Sequence, residues 1–193
     1  MQFVLATANA HKAEEMRAIL RPLALKLLAR PRDVPEVNET EDTLEGNALL
    51  KARALVVATG LPAIADDTGL FVDALDGRPG VYSARYAGED ASYQENVTKL
   101  LAELKDVSAP RRAVFRSVIA VAYPQNEWFS VEGLLEGRIC LEPRGERGFG
   151  YDPVFELVGS DHRTLAELTP DEKNKVSHRA VALRALAEKL GTR

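Results

Sequence analysis

The chain has 193 residues, 46% of them apolar and 28% charged, a balance that supports a globular core and excludes intrinsic disorder, collagen and coiled coil. Lysine and arginine number 25 against 29 acidic residues, a formal charge of −4; with no basic run to neutralise a phosphate backbone, nucleic acid is not an expected partner. Cys140 is the single cysteine, which excludes an intrachain disulfide, a CxxC redox pair and a cysteine-rich zinc site, and fits a reducing cytoplasm.

The first residues, Met-Gln-Phe-Val-Leu-Ala-Thr, lack the basic flank of an export signal. Phe3 to Ala6 reads as a strand, and Asn9 caps a helix reaching about Leu20. Leu23 to Leu28 is a second strand, followed by a loop from Pro31 to Thr43 rich in proline and acid. Thr43 caps a helix to about Thr59, with Leu44, Ala48, Ala52, Leu55 and Val56 at helical spacing and Gly60 and Pro62 as its stop. The run from Ala54 to Ala65 is thereby broken well short of the ~20 apolar residues that a membrane span needs, so no membrane association is expected.

Ala63 to Ala65 and Leu70 to Val72 read as two strand segments interrupted by the polar quartet Asp66-Asp67-Thr68-Gly69. Asp76 to Gly80 is turn chemistry, and Ala91 to Leu104 is a helix, ended at Ala109-Pro110. Ala113 to Tyr123 and Trp128 to Cys140 are strands paired antiparallel across Pro124 to Glu127. Glu142 to Asp152 is a glycine-rich loop, Pro153 to Leu157 a short strand, and Ser177 to Lys189 a helix. Helices interleaved with strands and one hairpin predict an α/β fold with a mixed sheet, whose ligands favour strand ends and helix N-termini. No repeat or linker divides the chain, so residues 1–193 are expected to be one domain.

Five segments carry candidate chemistry. Thr7 to Lys12 lies where a strand hands over to a helix, so backbone N–H groups and the positive helix end can hold an anion, aided by Thr7, Asn9 and Lys12. The same residues also read as a plain cap followed by a solvated lysine. Asp66 and Asp67 are adjacent carboxylates after an apolar strand; burying them unpaired is expensive, and magnesium, a hard ion that takes one or two carboxylates plus waters and phosphate oxygens, is the natural remedy. Neighbours on an extended segment point opposite ways, so one Asp can bind metal while the other orients a cation. An acidic turn is the alternative.

Glu39, with Glu41 and Asp42 beside it, can complete a metal shell or merely favour the dipole of the helix that carries Lys51. Gly145 to Asp152 is neither a dinucleotide fingerprint nor a Walker A loop; its glycines let backbone approach a flat ligand while Phe149 or Tyr151 stacks on it, and a hairpin tip around a buried aromatic is the other reading. Ser177-His178-Arg179, with Lys173 upstream, clusters donors at a helix start that can read carbonyl oxygens on a base. His11 and His162 have no partners at metal spacing.

Taken in order, Leu5-Ala-Thr-Ala-Asn-Ala-His-Lys12, Asn47-Ala-Leu-Leu-Lys-Ala52, Ala65-Asp-Asp-Thr-Gly-Leu70, Pro79-Gly-Val-Tyr-Ser-Ala-Arg-Tyr86, Gly148-Phe-Gly-Tyr-Asp-Pro153 and Ser177-His-Arg179 resemble the inosine triphosphate pyrophosphatase family over nearly the whole chain. The resemblance implies an elongated α/β fold with a central mixed sheet, two lobes and a nucleotide cleft between them, and a homodimer. It also implies magnesium-dependent hydrolysis of ITP, dITP and XTP to monophosphate and pyrophosphate; manganese is an expected substitute at an oxygen-rich site. By match of motif, Thr7, Asn9, Lys12 and Lys51 would hold the triphosphate. Asp67 would accept the proton and contact the metal with Asp66 and Glu39, and Thr68 would touch substrate. Phe149, Gly150, Tyr151, Asp152, Lys173, His178 and Arg179 would form the base pocket. The chain departs from the family pattern at Ala8, Thr68 and Gly46, where glycine, serine and glutamate are common; Gly46 removes a metal role at that position. A pyrophosphatase for modified pyrimidine nucleotides is the competing enzyme reading. A non-catalytic nucleotide binder would be expected to have lost Lys12 or the Asp66-Asp67 pair, and both are present.

Overall fold

The computed structural model describes residues 1–159 and 162–191. In chain order its strands and α-helices are β1 Gln2–Leu5, α1 Ala10–Leu20, β2 Lys26–Leu28, α2 Leu44–Thr59, β3 Ala63–Val72, β4 Pro79–Gly80, α3 Tyr93–Glu103, β5 Arg112–Ala122, β6 Trp128–Ile139, β7 Phe155–Leu157, α4 Pro170–Val176 and α5 His178–Gly191. Among the described residues the strands form one seven-stranded mixed sheet, ordered β2-β1-β3-β5-β6-β7 with β4 on β3. β1 runs parallel to β2 and β3, while β4 on β3 and β7 on β6 are antiparallel. This is the mixed α/β architecture that the order of elements predicts.

The chain divides into two compact units, the first Met1–Asp67, Ser117–Gly133 and Arg179–Arg193, the second Thr68–Arg116 and Leu134–His178. In the first, strand alternation builds two cores on opposite faces of the sheet. Phe3, Leu5 and Ile64 pack with Ala13, Met16 and Leu20 of α1 and Ala182, Leu183 and Leu186 of α5. Val4, Ala6, Ala63 and Ala65 pack on the other side with Ala52 and Leu55 of α2. Each fully buried Leu or Phe contributes about 1.5–3 kcal/mol relative to exposure. α1 starts where the Asn9 side chain accepts from Lys12 N at 3.2 Å. α2 starts where Thr43 accepts from Gly46 N at 3.0 Å and ends at Gly60, whose φ of 68° suits a residue with no Cβ. The second unit has one core, in which Leu70, Val72, Phe115, Phe155 and Leu157 meet Val97, Leu100 and Leu104.

Four local expectations change. β3 is unbroken from Ala63 to Val72, running through the polar quartet. Leu23 closes a 3₁₀ turn, Arg21–Leu23, and Ala24 follows in the left-handed region, so β2 begins only at Lys26. Pro153 belongs to a second 3₁₀ turn, Asp152–Val154, leaving Phe155–Leu157 as the strand. The helix α4 precedes α5; Thr169 and Glu172 form a reciprocal capping box around Pro170 at its first turn. The hairpin ends match: Tyr123 N donates to Glu127 O at 2.9 Å across the turn joining β5 and β6, which are neighbours in the sheet.

Candidate active site

The first unit holds a chain of buried charges organised by β3. Asp66 has the same parity as Ile64 and so faces α1 and α5; its Oδ2 lies 3.0 Å from Lys12 Nζ and 3.2 Å from Arg179 Nε. Arg179 in turn places NH1 2.5 Å from Glu15 Oε2, and the arginine is only 1% exposed. Burial opposes the Asp66 charge, but Lys12 and Arg179 outweigh it and hold its carboxyl well below the ordinary carboxylate range. Burial also lowers Lys12 below an ordinary lysine, with Asp66 only partly compensating.

Asp67, one residue on, has the parity of Ala63 and Ala65 and faces α2. Its Oδ1 lies 2.9 Å from Lys51 Nζ, which is also 2.5 Å from Glu39 Oε1. Burial raises the Asp67 carboxyl above its usual range against the pull of Lys51. Lys51 itself is disfavoured as a cation by burial, yet Asp67 and Glu39 more than offset this and raise it. Asp67 Oδ2 is buried with no hydrogen-bond partner among the described residues. Glu39 reaches Lys51, while the backbone of Glu41 is clamped by the side chain of Asn47, Glu41 N donating to Oδ1 at 3.0 Å and Nδ2 donating to Glu41 O at 3.2 Å.

An orphaned carboxylate oxygen beside a second carboxylate fits a hard divalent cation. Among the described residues no three His, Cys, Asp or Glu side chains gather into a ready-made cage. Thr7 and Asn9 sit at the mouth of α1, Asn9 N donating to Thr7 Oγ1 at 3.2 Å.

The second unit gathers the other predicted residues. Lys173 Nζ donates to Asp152 Oδ2 at 2.7 Å and lies 4.6 Å from the centroid of the Phe149 ring. The same Asp152 oxygen accepts from Phe149 N at 2.8 Å, so one buried carboxylate fixes both the loop and the lysine. Gly148 is required here: its φ is +77°, and a Cβ would fall 2.1 Å from Asp152 Oδ2. Gly150 likewise has a positive φ of 62°. Of the two aromatic residues, Phe149 is half-buried, whereas Tyr151 is buried and donates its hydroxyl to Ser83 O at 2.9 Å. Burial pushes that hydroxyl far above an ordinary tyrosine. Tyr151 is thus a peg in the core, and Phe149 is the less buried ring, tilted against Tyr93 with centroids 6.0 Å apart. His178 is buried and stacked on Phe115, centroids 4.4 Å apart. Thr68 is half-buried at the start of this unit.

The structure thus brings Lys12, Asp66 and Arg179 together, Glu39, Lys51 and Asp67 together, and Phe149, Asp152 and Lys173 together. The Arg179 guanidinium is engaged by Asp66 and Glu15, and Asp66 is held by cations on the face opposite Asp67. Sequence reasoning missed Glu15 and Ser83. Nothing in the sequence selects Glu15 over Glu14 until α1 and α5 are packed on the same face of the sheet. Ser83, which also donates to Gly80 O at 2.6 Å, lies inside a motif noted for its resemblance alone.

A model of the Ham1 family matches residues 3–189. The chain is 50% identical to the dITP/XTP pyrophosphatase of Bacillus subtilis (strain 168), over 97% of its own length and 96% of that protein. Its fold is similar to a HAM1 protein from Coxiella burnetii, with a TM-score of 0.92 and 43% identity over all of both chains. It is also similar to a nucleoside-triphosphatase / dITP/XTP pyrophosphatase from Mycobacterium abscessus, with a TM-score of 0.77 and 44% identity over 96% of this chain and 97% of that one.

Proposed function

Because the chain belongs to the Ham1 family, we propose that it hydrolyses ITP, dITP and XTP to the monophosphate and pyrophosphate, clearing them from the nucleotide pool. The observation that carries this reading is Asp67, buried and raised in pKa, with Oδ1 held by Lys51 and Oδ2 open. Oδ2 takes the proton of a water that attacks the α-phosphorus; the bond from that phosphorus to the bridging oxygen breaks, and pyrophosphate leaves. Lys12 and Lys51 neutralise charge that grows on the leaving group, in a buried setting where such charges act strongly. Asp67 and Glu39 are the residues that would hold magnesium, or manganese in its place; when bound, the ion neutralises triphosphate oxygens and makes water more acidic. Asp66 contributes by positioning Lys12 and Arg179.

Base choice rests on the second unit. Phe149 would stack on a purine, with Lys173 beside it, His178 as a further donor in the same unit, and the loop at Gly150 allowing close backbone approach. Hypoxanthine and xanthine carry an accepting oxygen at position 6, where adenine carries an amino donor. A buried donor left unpaired opposite adenine rejects ATP.

The family model's span supports treating residues 1–193 as one functional domain. Among the described residues no helix is long and apolar enough to cross a membrane, in keeping with a cytoplasmic enzyme, and a homodimer is expected from the family resemblance. The test is product analysis by ion-exchange chromatography with magnesium and ITP, dITP, XTP, GTP, ATP and dTTP in parallel. Monophosphate with pyrophosphate from the first three is expected; orthophosphate release, or preference for dTTP, overturns the reading. Light scattering behind size exclusion checks the dimer.

A further inference from the structure

A cavity of about 250 Å³ lies in the first unit, on the flank of α1 and beneath the segment that follows β2. Its floor is apolar, from Leu5 and Ala13, and its rim carries three guanidinium groups, Arg17, Arg30 and Arg32. No carboxylate lines it, and among the described residues none of the three arginines is ion-paired. Arg30 is half-buried and fixed in place by donating from NH2 to Val34 O at 2.6 Å. Thr7 and Asn9 line the same cavity, so it is continuous with the turn at the N-terminus of α1. This is unusual in a chain of net charge −4, where carboxylates are available to pair every arginine. Three unpaired like charges around a low-dielectric floor repel one another and focus a positive potential into the cavity, an arrangement that a multiply charged anion relieves. Guanidinium groups suit phosphate in particular, because two parallel N–H donors match two phosphate oxygens.

We propose that Arg17, Arg30 and Arg32 form a subsite for the distal two phosphates of the substrate, the pair that leaves as pyrophosphate. The inference rests on the proposed function for its ligand. It adds to that function a second group of cations, separate from Lys12 and Lys51, that reads the length of the phosphate chain. A nucleoside monophosphate is too short to engage it, and orthophosphate meets fewer of its donors than pyrophosphate does.

The test uses isothermal titration of inorganic pyrophosphate, orthophosphate and IMP into the full chain in magnesium buffer, for the wild type, Arg17→Gln, Arg32→Gln and the double variant. Both substituted residues are exposed, so folding is expected to survive, and circular dichroism verifies it. Each single change should weaken pyrophosphate by about tenfold, and the two together by about a hundredfold, in proportion to the charge-assisted hydrogen bonds lost. IMP binding should stay within about twofold. Wild-type pyrophosphate affinity in the double variant overturns the subsite while leaving dITP hydrolysis by the wild type to stand on its own. Equal losses for orthophosphate and pyrophosphate overturn it as well, by reducing it to a single-anion site. If the wild type fails to hydrolyse dITP but the variants still lose pyrophosphate selectively, the subsite holds and the proposed function falls.

Discussion

Replacing Arg179 by methionine removes the one guanidinium that joins Asp66 to Glu15 inside the first unit. Methionine matches the length of the aliphatic stem, so the main loss is charge. Asp66 keeps Lys12 at 3.0 Å, but Glu15 loses its 2.5 Å partner, and a cluster of two cations and two carboxylates becomes one cation facing two anions. Breaking a buried pair from one side costs about 3–5 kcal/mol, because the surviving charge stays desolvated. For a chain of this size each kcal/mol moves the melting temperature by about 2–4 °C, so a fall of about 6–20 °C is expected. Urea unfolding followed by circular dichroism measures the free energy directly. Asp66→Asn placed on top of Arg179→Met should then cost less than it does alone, since Asp66 has one cation left to lose instead of two. The pH dependence follows with its own sign. The Asp66 carboxyl is depressed in the folded protein, so its stabilisation is present above the unfolded pKa of about 3.9 and is lost as pH falls through the lower folded value. Without Arg179 that folded value rises, and the acid loss begins at higher pH. A destabilisation below about 1 kcal/mol, or simple additivity of the two substitutions, would refute the view that this cluster is held by its mutual charges.

Asp67→Asn should lower kcat by at least about a hundredfold without lowering the melting temperature, because burial makes the native carboxylate costly; retention of near-normal turnover would remove Asp67 as the proton acceptor. In the wild type the acid limb of kcat/KM should sit above the ordinary carboxylate pKa, since Asp67 must be ionised to act and its pKa is raised. Lys51→Met deprives both Asp67 and Glu39 of their shared cation, so that limb should move to still higher pH, and an unmoved profile would show that Lys51 does not govern Asp67. Phe149→Ala should raise KM for dITP by about tenfold or more through lost stacking with kcat little changed, and an equal effect on kcat alone would put the ring elsewhere than on the base.

Much of the fold is legible because its local signals are strong. The Asn9 and Thr43 caps, the Gly60 stop and the hairpin around Asn126 each rest on a few neighbouring residues. β3 was not legible as one strand, because a sequence prices Asp66-Asp67 as loop until Lys12, Lys51 and Arg179 arrive from 54, 16 and 113 positions away. α4 carries a complete start signal at Thr169-Pro170 and Glu172, but its seven residues are too few for a hydrophobic period. At the site, residue types singled out Lys12, Lys51, Asp67 and Phe149, which the structure places in the three side-chain groups described above. They carried no sign of the ion pairs of Arg179, since its partners Asp66 and Glu15 lie far off in the chain.

The two carboxylates of β3 are separated by a single peptide, yet in the proposed function one serves the architecture and the other the chemistry. Errors at the two positions therefore have different fates in a cell. A protein damaged at Asp66 is expected to disappear from the soluble pool, cleared as misfolded chain, so that its absence is the whole phenotype. On the same reading, a protein damaged only at Asp67 is expected to persist at normal abundance, still able to grip a triphosphate that it no longer cuts. Such a chain is a decoy that shelters the very nucleotides its intact counterpart removes, so gene dosage rather than fold would decide how much harm it does.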